Sequence, residues 1–194
     1  MKPIEADEIL AYPDYQRVRE RLRPLFIGEK NRRRITVANH LTLLFENSRT
    51  IWYQIEEMLL TERITEPAAI QHEIETYNEL MPGGGELSAT LMIEFLEEPA
   101  QRTERLRELL GIDRHLWIAI DARRIPARFD IRQMTTDRVS AVQFVRFPLG
   151  IGHDRFLEQA NKGQVAIEVD HPKLAGRYTV EAELAATLAE DLVS

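Results

Sequence analysis

Nine residues of this chain alternate strictly between apolar side chains and a second, mainly polar set, and this pattern constrains the fold more than any other. The segment begins at Leu87 and ends at Phe95. The apolar positions are Leu87, Ala89, Leu91, Ile93 and Phe95, and the positions between them are Ser88, Thr90, Met92 and Glu94. Because successive side chains of a β-strand point to opposite faces of the sheet, the segment predicts a strand with one apolar face.

The segments around this strand mix helical and extended patterns. Apolar residues recur at helical spacing in residues 13–34, 50–61, 67–77, 99–110, 154–160 and 181–192. Further short strands are predicted at 35–38, 41–45, 116–120, 125–129, 139–147 and 165–169. For 50–61 a hairpin is the alternative, because its apolar residues also alternate at 51, 53 and 55. Strands and helices follow no regular βαβ order, so we predict an α+β fold with helices packed on a mainly antiparallel sheet.

The length of 194 residues predicts a single domain over 1–194, with an N-terminal helical arm over 1–34 and an α+β core over 35–194. Pro24 should kink or split the helix of the arm, because proline has no N–H to donate to the preceding turn. The segment 139–147 is apolar on both faces, which is typical of a central strand.

Composition and charge narrow the classes of function. The chain has no cysteine, which excludes disulfides, thiolate-bound zinc and cysteine-ligated iron–sulfur clusters within it. The five histidines are scattered, so we predict no metal site and no cofactor. We expect no secretory signal, because the start MKPIEADEIL has no basic region followed by an apolar stretch. No apolar run approaches the roughly 20 residues that span a bilayer, so we expect a cytoplasmic protein. A net charge of −7 disfavours binding to nucleic acid or to an anionic membrane.

Two local motifs have competing interpretations. A basic cluster at Lys30, Arg32, Arg33 and Arg34 ends the first predicted helix. Cations there complement the helix dipole, and the alternative is contact with phosphate or with an acidic partner. The run Gly83–Gly85 lacks the lysine and the following helix of a phosphate loop, so it predicts a turn that can act as a flap over the adjoining strand.

A candidate site follows if the helices at 50–62 and 67–78 pack over the polar face of strand 87–95. The residues then available to bind a ligand or partner are Glu57, Arg63, Tyr77, Asn78, Thr90 and Glu94. Glu57 and Glu94 are the candidate catalytic acid and base. The purely structural alternatives are an N-cap at Asn47, a surface pair between Glu57 and Arg63, and a solvent-facing Glu94.

Several short sequence motifs resemble those of a known family. They are LTLLFEN at 41–47, YQIEEML at 53–59 followed by Glu62–Arg63–Ile64, Tyr77–Asn78, LSATLMIE at 87–94, AVQFVRFPL at 141–149 and the triplet Asp170–His171–Pro172. By these motifs, over nearly its whole length, the chain resembles the bacterial family called domain of unknown function 3501. Similar proteins are often encoded beside rubrerythrin-like and iron–sulfur oxidoreductase proteins, so the resemblance implies a role near peroxide defence or electron transfer.

Three hypotheses of function remain open at this point. The first is an accessory or binding protein that serves a redox partner, either rubrerythrin-like or an iron–sulfur protein, and has no redox centre of its own. The second is a small-molecule enzyme that uses Glu57 and Glu94 as a carboxylate pair. The third is a structural dimerisation module, in which the chain forms a homodimer.

Overall fold

The computed structural model describes residues 1–133 and 135–192, which form helices and two antiparallel sheets. The α-helices are α1 (Tyr12–Arg32), α2 (Ser48–Thr61), α3 (Pro67–Asn78), α4 (Pro99–Glu108), α5 (His153–Asn161) and α6 (Ala182–Ala189). The strands are β1 (Arg34–Val37), β2 (Leu41–Phe45), β3 (Glu86–Ile93), β4 (Leu116–Ile120), β5 (Arg123–Pro126), β6 (Arg128–Phe129), β7 (Val142–Pro148), β8 (Val165–His171) and β9 (Leu174–Thr179). The predicted α+β class is confirmed.

The strands divide between two sheets. The first sheet has the order β1-β2-β3-β7-β6, and the second has the order β5-β4-β8-β9. Both sheets contribute to one apolar core, together with residues of α4, α5 and α6. The alternation predicted for β3 is confirmed, because Leu87 and Leu91 are fully buried in that core while Thr90 lies on the opposite face.

The opposite face of the first sheet, called the outer face below, carries the N-terminal helices. A second apolar cluster joins α2 and α3 to the start of the chain, through Ile4, Ile51, Ile55, Leu59, Ile74 and Met81. The helix predicted at 50–61 forms, and the alternative hairpin does not. Asn47 caps it, since its Oδ1 accepts the N–H of Thr50 at 2.9 Å while the Thr50 hydroxyl accepts the N–H of Asn47 at 2.9 Å.

Helix α1 continues through Pro24 as one element. Pro24 therefore does not split the helix, and the alternative kink stays a prediction. Pro24 is exposed, and the residues on both sides of it are helical. Tertiary packing of α1 on α2 therefore outweighs the single backbone hydrogen bond that proline removes. Within the described residues, no helix combines the length and the apolar character needed to cross a membrane.

The strand predicted at 125–129 is divided between the two sheets. Ile125 pairs with Ile118 in the second sheet, whereas Phe129 pairs with Val145 in the first. The chain leaves the second sheet next to Pro126, which has no N–H to extend the ladder. The sequence prediction also missed β9, which pairs with β8 and contains Gly176.

Strand β7 departs from the prediction of a strand that is buried on both faces. It lies between β3 and the two-residue strand β6, so little of it has a neighbour on that side. Val145 and Phe147 are fully buried in the core, but Val142 is 42% exposed on the other face. Phe144 is also only partly buried. These apolar side chains are uncovered because they border a cleft.

Candidate functional site

A cleft of about 320 Å³ lies on the outer face of the first sheet, beneath α2, α3 and the end of α1. This space is called the outer cleft. It is lined by Lys30, Arg34, Leu44, Glu46, Ile51, Gln54, Tyr77, Leu80, Thr90, Met92, Val142 and Phe144. Most of these side chains are apolar, and the charged ones are two cations and one carboxylate. Apolar walls with a few convergent polar groups are typical of small-molecule sites.

The two cations come from the last turn of α1 and the first residue of β1. Lys30 Nζ donates to Gln54 Oε1 at 3.3 Å and lies 5.0 Å from the centre of the Tyr53 ring. Arg34 projects from the outer face of β1, beside Leu44 of β2. In the part of the chain that the structure describes, neither cation has a carboxylate oxygen within 4.0 Å, whereas Arg32 does.

Burial lowers the pKa of Lys30 below its usual value, and the nearby charge of Arg34 adds to this effect. The carboxylate of Glu46 acts in the opposite direction but does not reverse the shift. An anion placed beside a buried lysine of lowered pKa stabilises its protonated, charged form.

Glu46 does not supply that charge through a direct ion pair. It follows β2, is 7% exposed, and its two carboxylate oxygens accept hydroxyl groups instead. Thr90 Oγ1 donates to Oε1 at 2.6 Å, and Thr50 Oγ1 donates to Oε2 at 2.5 Å. The carboxylate thus fixes β3 and the first turn of α2 against each other, and it leaves both cations free to contact a ligand.

Two of the six predicted binding residues, Tyr77 and Thr90, line the outer cleft. Burial raises the pKa of Tyr77, so its hydroxyl stays protonated at neutral pH and can donate a hydrogen bond. Thr90 reaches the cleft through the alternation that the sequence predicted for β3, although its hydroxyl proton is committed to Glu46.

Glu57 forms its hydrogen bonds with helix α1, and Asn78 forms its hydrogen bonds with the residues that precede α1. Arg19 of α1 donates to both oxygens of Glu57 at 2.8 Å, and the hydroxyl of Tyr15 donates to Oε1 at 2.7 Å. The bond from Arg19 is the main reason that the pKa of Glu57 lies below its usual value. Asn78 holds the backbone of Ile4 through two hydrogen bonds of 2.9 Å.

Arg63 and Glu94 are both exposed. Arg63 lies in the turn after α2 with a positive φ of 55°, and the predicted surface pair with Glu57 is replaced by the pair between Glu57 and Arg19. Glu94 accepts a hydrogen bond from the hydroxyl of Thr42. No hydrogen bond joins Glu57 to Glu94 within the described residues, and a joint acid–base role for them stays a prediction.

The basic cluster is visible in the sequence, but its members could not be placed at this site from the sequence. The structure separates its members, since Lys30 and Arg34 reach the outer cleft while Arg33 is buried in an ion-pair network. The sequence feature that could have indicated their role is that these cations lie where a predicted helix ends and the next strand begins directly. Among residues 1–133 and 135–192, no group of three or more histidine, aspartate or glutamate side chains is arranged to hold a metal ion.

Comparison with known proteins gives a family and a fold relative. The family model described as "Protein of unknown function (DUF3501)" matches residues 3–192. A crystal structure of a novel protein of unknown function from Burkholderia pseudomallei K96243 is 34% identical in sequence and superposes with a TM-score of 0.87. That match covers 98% of this chain and 100% of the other. No curated protein matches the chain.

Proposed function

This chain belongs to the DUF3501 family of proteins of unknown function, and we propose that it is a binding protein whose outer cleft takes a small organic anion with an apolar body. One observation carries the proposal. Lys30 and Arg34 converge on an apolar cleft, and neither has a carboxylate partner within 4.0 Å among the described residues.

The charged end of the ligand is a carboxylate or a phosphate. A guanidinium matches the geometry of either group through two parallel N–H donors, so Arg34 provides direction as well as charge. The ammonium of Lys30 is partly desolvated, and its depressed pKa means that an anion stabilises its charged form. Gln54, which now accepts from Lys30, lies at the same end of the cleft.

The body of the ligand is apolar and short. Leu44, Met92 and Phe144 present hydrocarbon and aromatic surface along the sheet side of the cleft. The volume of about 320 Å³ lies at the small end of the range for ligand pockets. A molecule of the size of phenylacetate therefore suits the cleft better than a nucleotide or a long acyl chain.

Isothermal titration calorimetry with phenylacetate tests this proposal, and phenylethanol serves as the uncharged analogue. The native protein should bind phenylacetate more tightly than phenylethanol. Lys30→Met and Arg34→Gln should each weaken phenylacetate binding about tenfold or more, because each removes a charge-assisted hydrogen bond. Arg21→Gln is the matched control, since Arg21 is an exposed cation on α1 outside the cleft.

Two results would contradict the proposal. One is equal binding of phenylacetate by the native protein and both cleft variants. The other is equal binding of the charged and uncharged compounds, which would leave Lys30 and Arg34 without a role in recognition.

The family resemblance supports a narrower proposal, in which this binding protein is a cytoplasmic accessory of a redox system. Its partner is then rubrerythrin-like or an iron–sulfur protein, and any thiolate-bound cluster belongs to that partner because this chain has no cysteine. Affinity purification of the tagged protein from its native cells should recover such a partner with it. Recovery of the chain without any redox protein, under conditions that retain known complexes, would contradict this narrower role.

A further inference from the structure

A second space, smaller than the outer cleft, lies between the residues that precede α1 and the helices α1, α2 and α3. It has a volume of about 280 Å³, and we call it the N-terminal cavity. Its walls are mainly apolar and include Leu59, Leu60, Ile64 and Ile70. Leu10 lies among the lining residues and is 37% exposed, so the cavity borders the protein surface at that point.

One acidic side chain lines this apolar space. Glu56 is 1% exposed, and its Oε1 accepts the backbone N–H of Leu10 at 2.8 Å. Its Oε2 has no hydrogen bond to any residue that the structure describes. None of the residues lining the cavity carries a positive charge. Burial raises the pKa of Glu56 to about 7, and the bond from Leu10 opposes that shift only in part.

The groups facing Glu56 from neighbouring elements do not neutralise it. Helix α1 contributes Tyr12 and Tyr15, and the hydroxyl of Tyr15 donates to Glu57 at 2.7 Å. Arg19 of α1 donates to both carboxylate oxygens of the neighbouring Glu57 instead. The turn after α2 and helix α3 line the cavity with uncharged residues. An ionised carboxylate in such a place lacks a counter-charge, which is costly in an apolar surrounding.

We infer that the N-terminal cavity binds an apolar primary amine, whose ammonium pairs with the Glu56 carboxylate and whose hydrocarbon part contacts the apolar walls. The ammonium supplies the missing counter-charge and donates to the open Oε2. The surrounding leucine and isoleucine side chains take the apolar part, and the volume limits it to about the size of a benzyl group. The cavity thus prefers the charge opposite to that preferred by the outer cleft.

Calorimetric titration with benzylammonium tests the inference, with benzyl alcohol as the uncharged analogue. The native protein should bind benzylammonium, and Glu56→Gln should weaken binding about tenfold or more. Glutamine keeps an oxygen that can accept the N–H of Leu10, so the variant removes the charge and retains that contact. Glu62→Gln is the control, because Glu62 is an exposed glutamate at the end of the same helix.

The pH dependence of the native protein gives a test that needs no variant. Pairing requires the ionised carboxylate, so benzylammonium affinity should rise about tenfold from about pH 6 to about pH 8, across the pKa of about 7. Amide chemical-shift changes on titration should centre on the cavity, at Leu60 and Thr65.

Three results would overturn the inference, and each remains informative if Glu56→Gln fails to fold. They are benzylammonium affinity that does not depend on pH in this range, equal affinity for benzyl alcohol, and shift changes that centre away from the cavity. Where Glu56→Gln does fold, undiminished binding by that variant would overturn it as well.

Discussion

Arg33 and Asp191 form a buried ion pair across 158 positions of sequence, with Arg33 Nη1 2.6 Å and Nη2 3.1 Å from the two oxygens of Asp191. The side chain of Arg33 is 1% exposed and that of Asp191 is 2% exposed. Arg33 Nε also donates to Glu29 at 2.8 Å, and Asn47 Nδ2 donates to the same oxygen at 3.0 Å. The network therefore ties the end of α1 and the cap of α2 to the segment after α6.

We predict that Arg33→Met lowers the free energy of unfolding by about 3–5 kcal/mol, because it leaves the Asp191 carboxylate buried without its partner. Arg32→Met is the control, since the Arg32 side chain is 52% exposed and its partner Glu29 keeps the bond from Arg33 Nε in that variant. Urea denaturation of both variants measures the difference. A loss below about 1 kcal/mol for Arg33→Met would show that solvent reaches Asp191.

The sequence could predict the elements that depend on local patterns. The alternation in β3, the cap at Asn47 and the apolar face of α6 are properties of neighbouring residues, and all three appear in the structure. The position of each cation in the basic cluster depends on contacts with residues that are far away in the sequence. Arg33 resembles its neighbours Arg32 and Arg34 in sequence, and only the packing of the C-terminal segment buries it.

The candidate site could be predicted only in part for the same reason. The helix pattern of α2 did not reveal that α1 packs beside it and engages Glu57, since that contact joins residues 38 positions apart. Thr90 and Tyr77 lie on the sheet and helix faces that meet at the cleft, because strand alternation and helical spacing determine those faces, and their role in binding stays a prediction. The uncovered side chains of β7 could not be predicted, because their exposure depends on how helices from a distant part of the sequence pack over the outer face.

Glu56 should make the stability of the protein depend on pH with an unusual sign. Burial raises its pKa from an ordinary value of 4.5 to about 7, so the folded state binds more protons than the unfolded state between these values. Stability from this group therefore falls as pH rises through that window. Relative to Glu56→Gln, the native protein should lose about 2–3 kcal/mol of unfolding free energy from about pH 5 to about pH 8.

Urea denaturation of the native protein and Glu56→Gln at both pH values checks this sign. A difference between them that stays constant with pH would show that Glu56 titrates normally. A difference that changes in the opposite direction would show that an unrecognised cation stabilises its charged form.

Two phenylalanines of β7 should differ in their contribution to stability. Phe147 is fully buried in the core between the sheets, so Phe147→Ala should cost about 3–5 kcal/mol. Phe144 is partly exposed at the outer cleft, so Phe144→Ala should cost about 1–2 kcal/mol, in proportion to the smaller area that it buries. Chemical denaturation of both variants gives the comparison, and equal costs would mean that the cleft is closed in solution.

Two glycines should respond in opposite ways to alanine. A Cβ on Gly176 would lie 2.9 Å from the Cβ of Ala38 and 3.0 Å from its backbone, so Gly176→Ala should push β9 away from the turn that follows β1 and cost about 1–3 kcal/mol. Gly28 lies inside α1, where a Cβ would meet no atom of another element within 4 Å, so Gly28→Ala should stabilise by about 0.5–1 kcal/mol. Thermal and urea unfolding measure both changes, and a neutral Gly176→Ala would mean that this strand contact is loose.

The binding of an organic anion between Lys30 and Arg34 is tested most directly by a crystal structure of the protein with para-bromophenylacetate. The bromine gives an anomalous signal that locates the ligand independently of its orientation. We predict that the carboxylate lies within hydrogen-bond distance of Lys30 Nζ and the Arg34 guanidinium, with the ring against Met92 and Phe144. A bromine site elsewhere on the molecule, with the outer cleft holding only solvent at saturating ligand, would contradict this account.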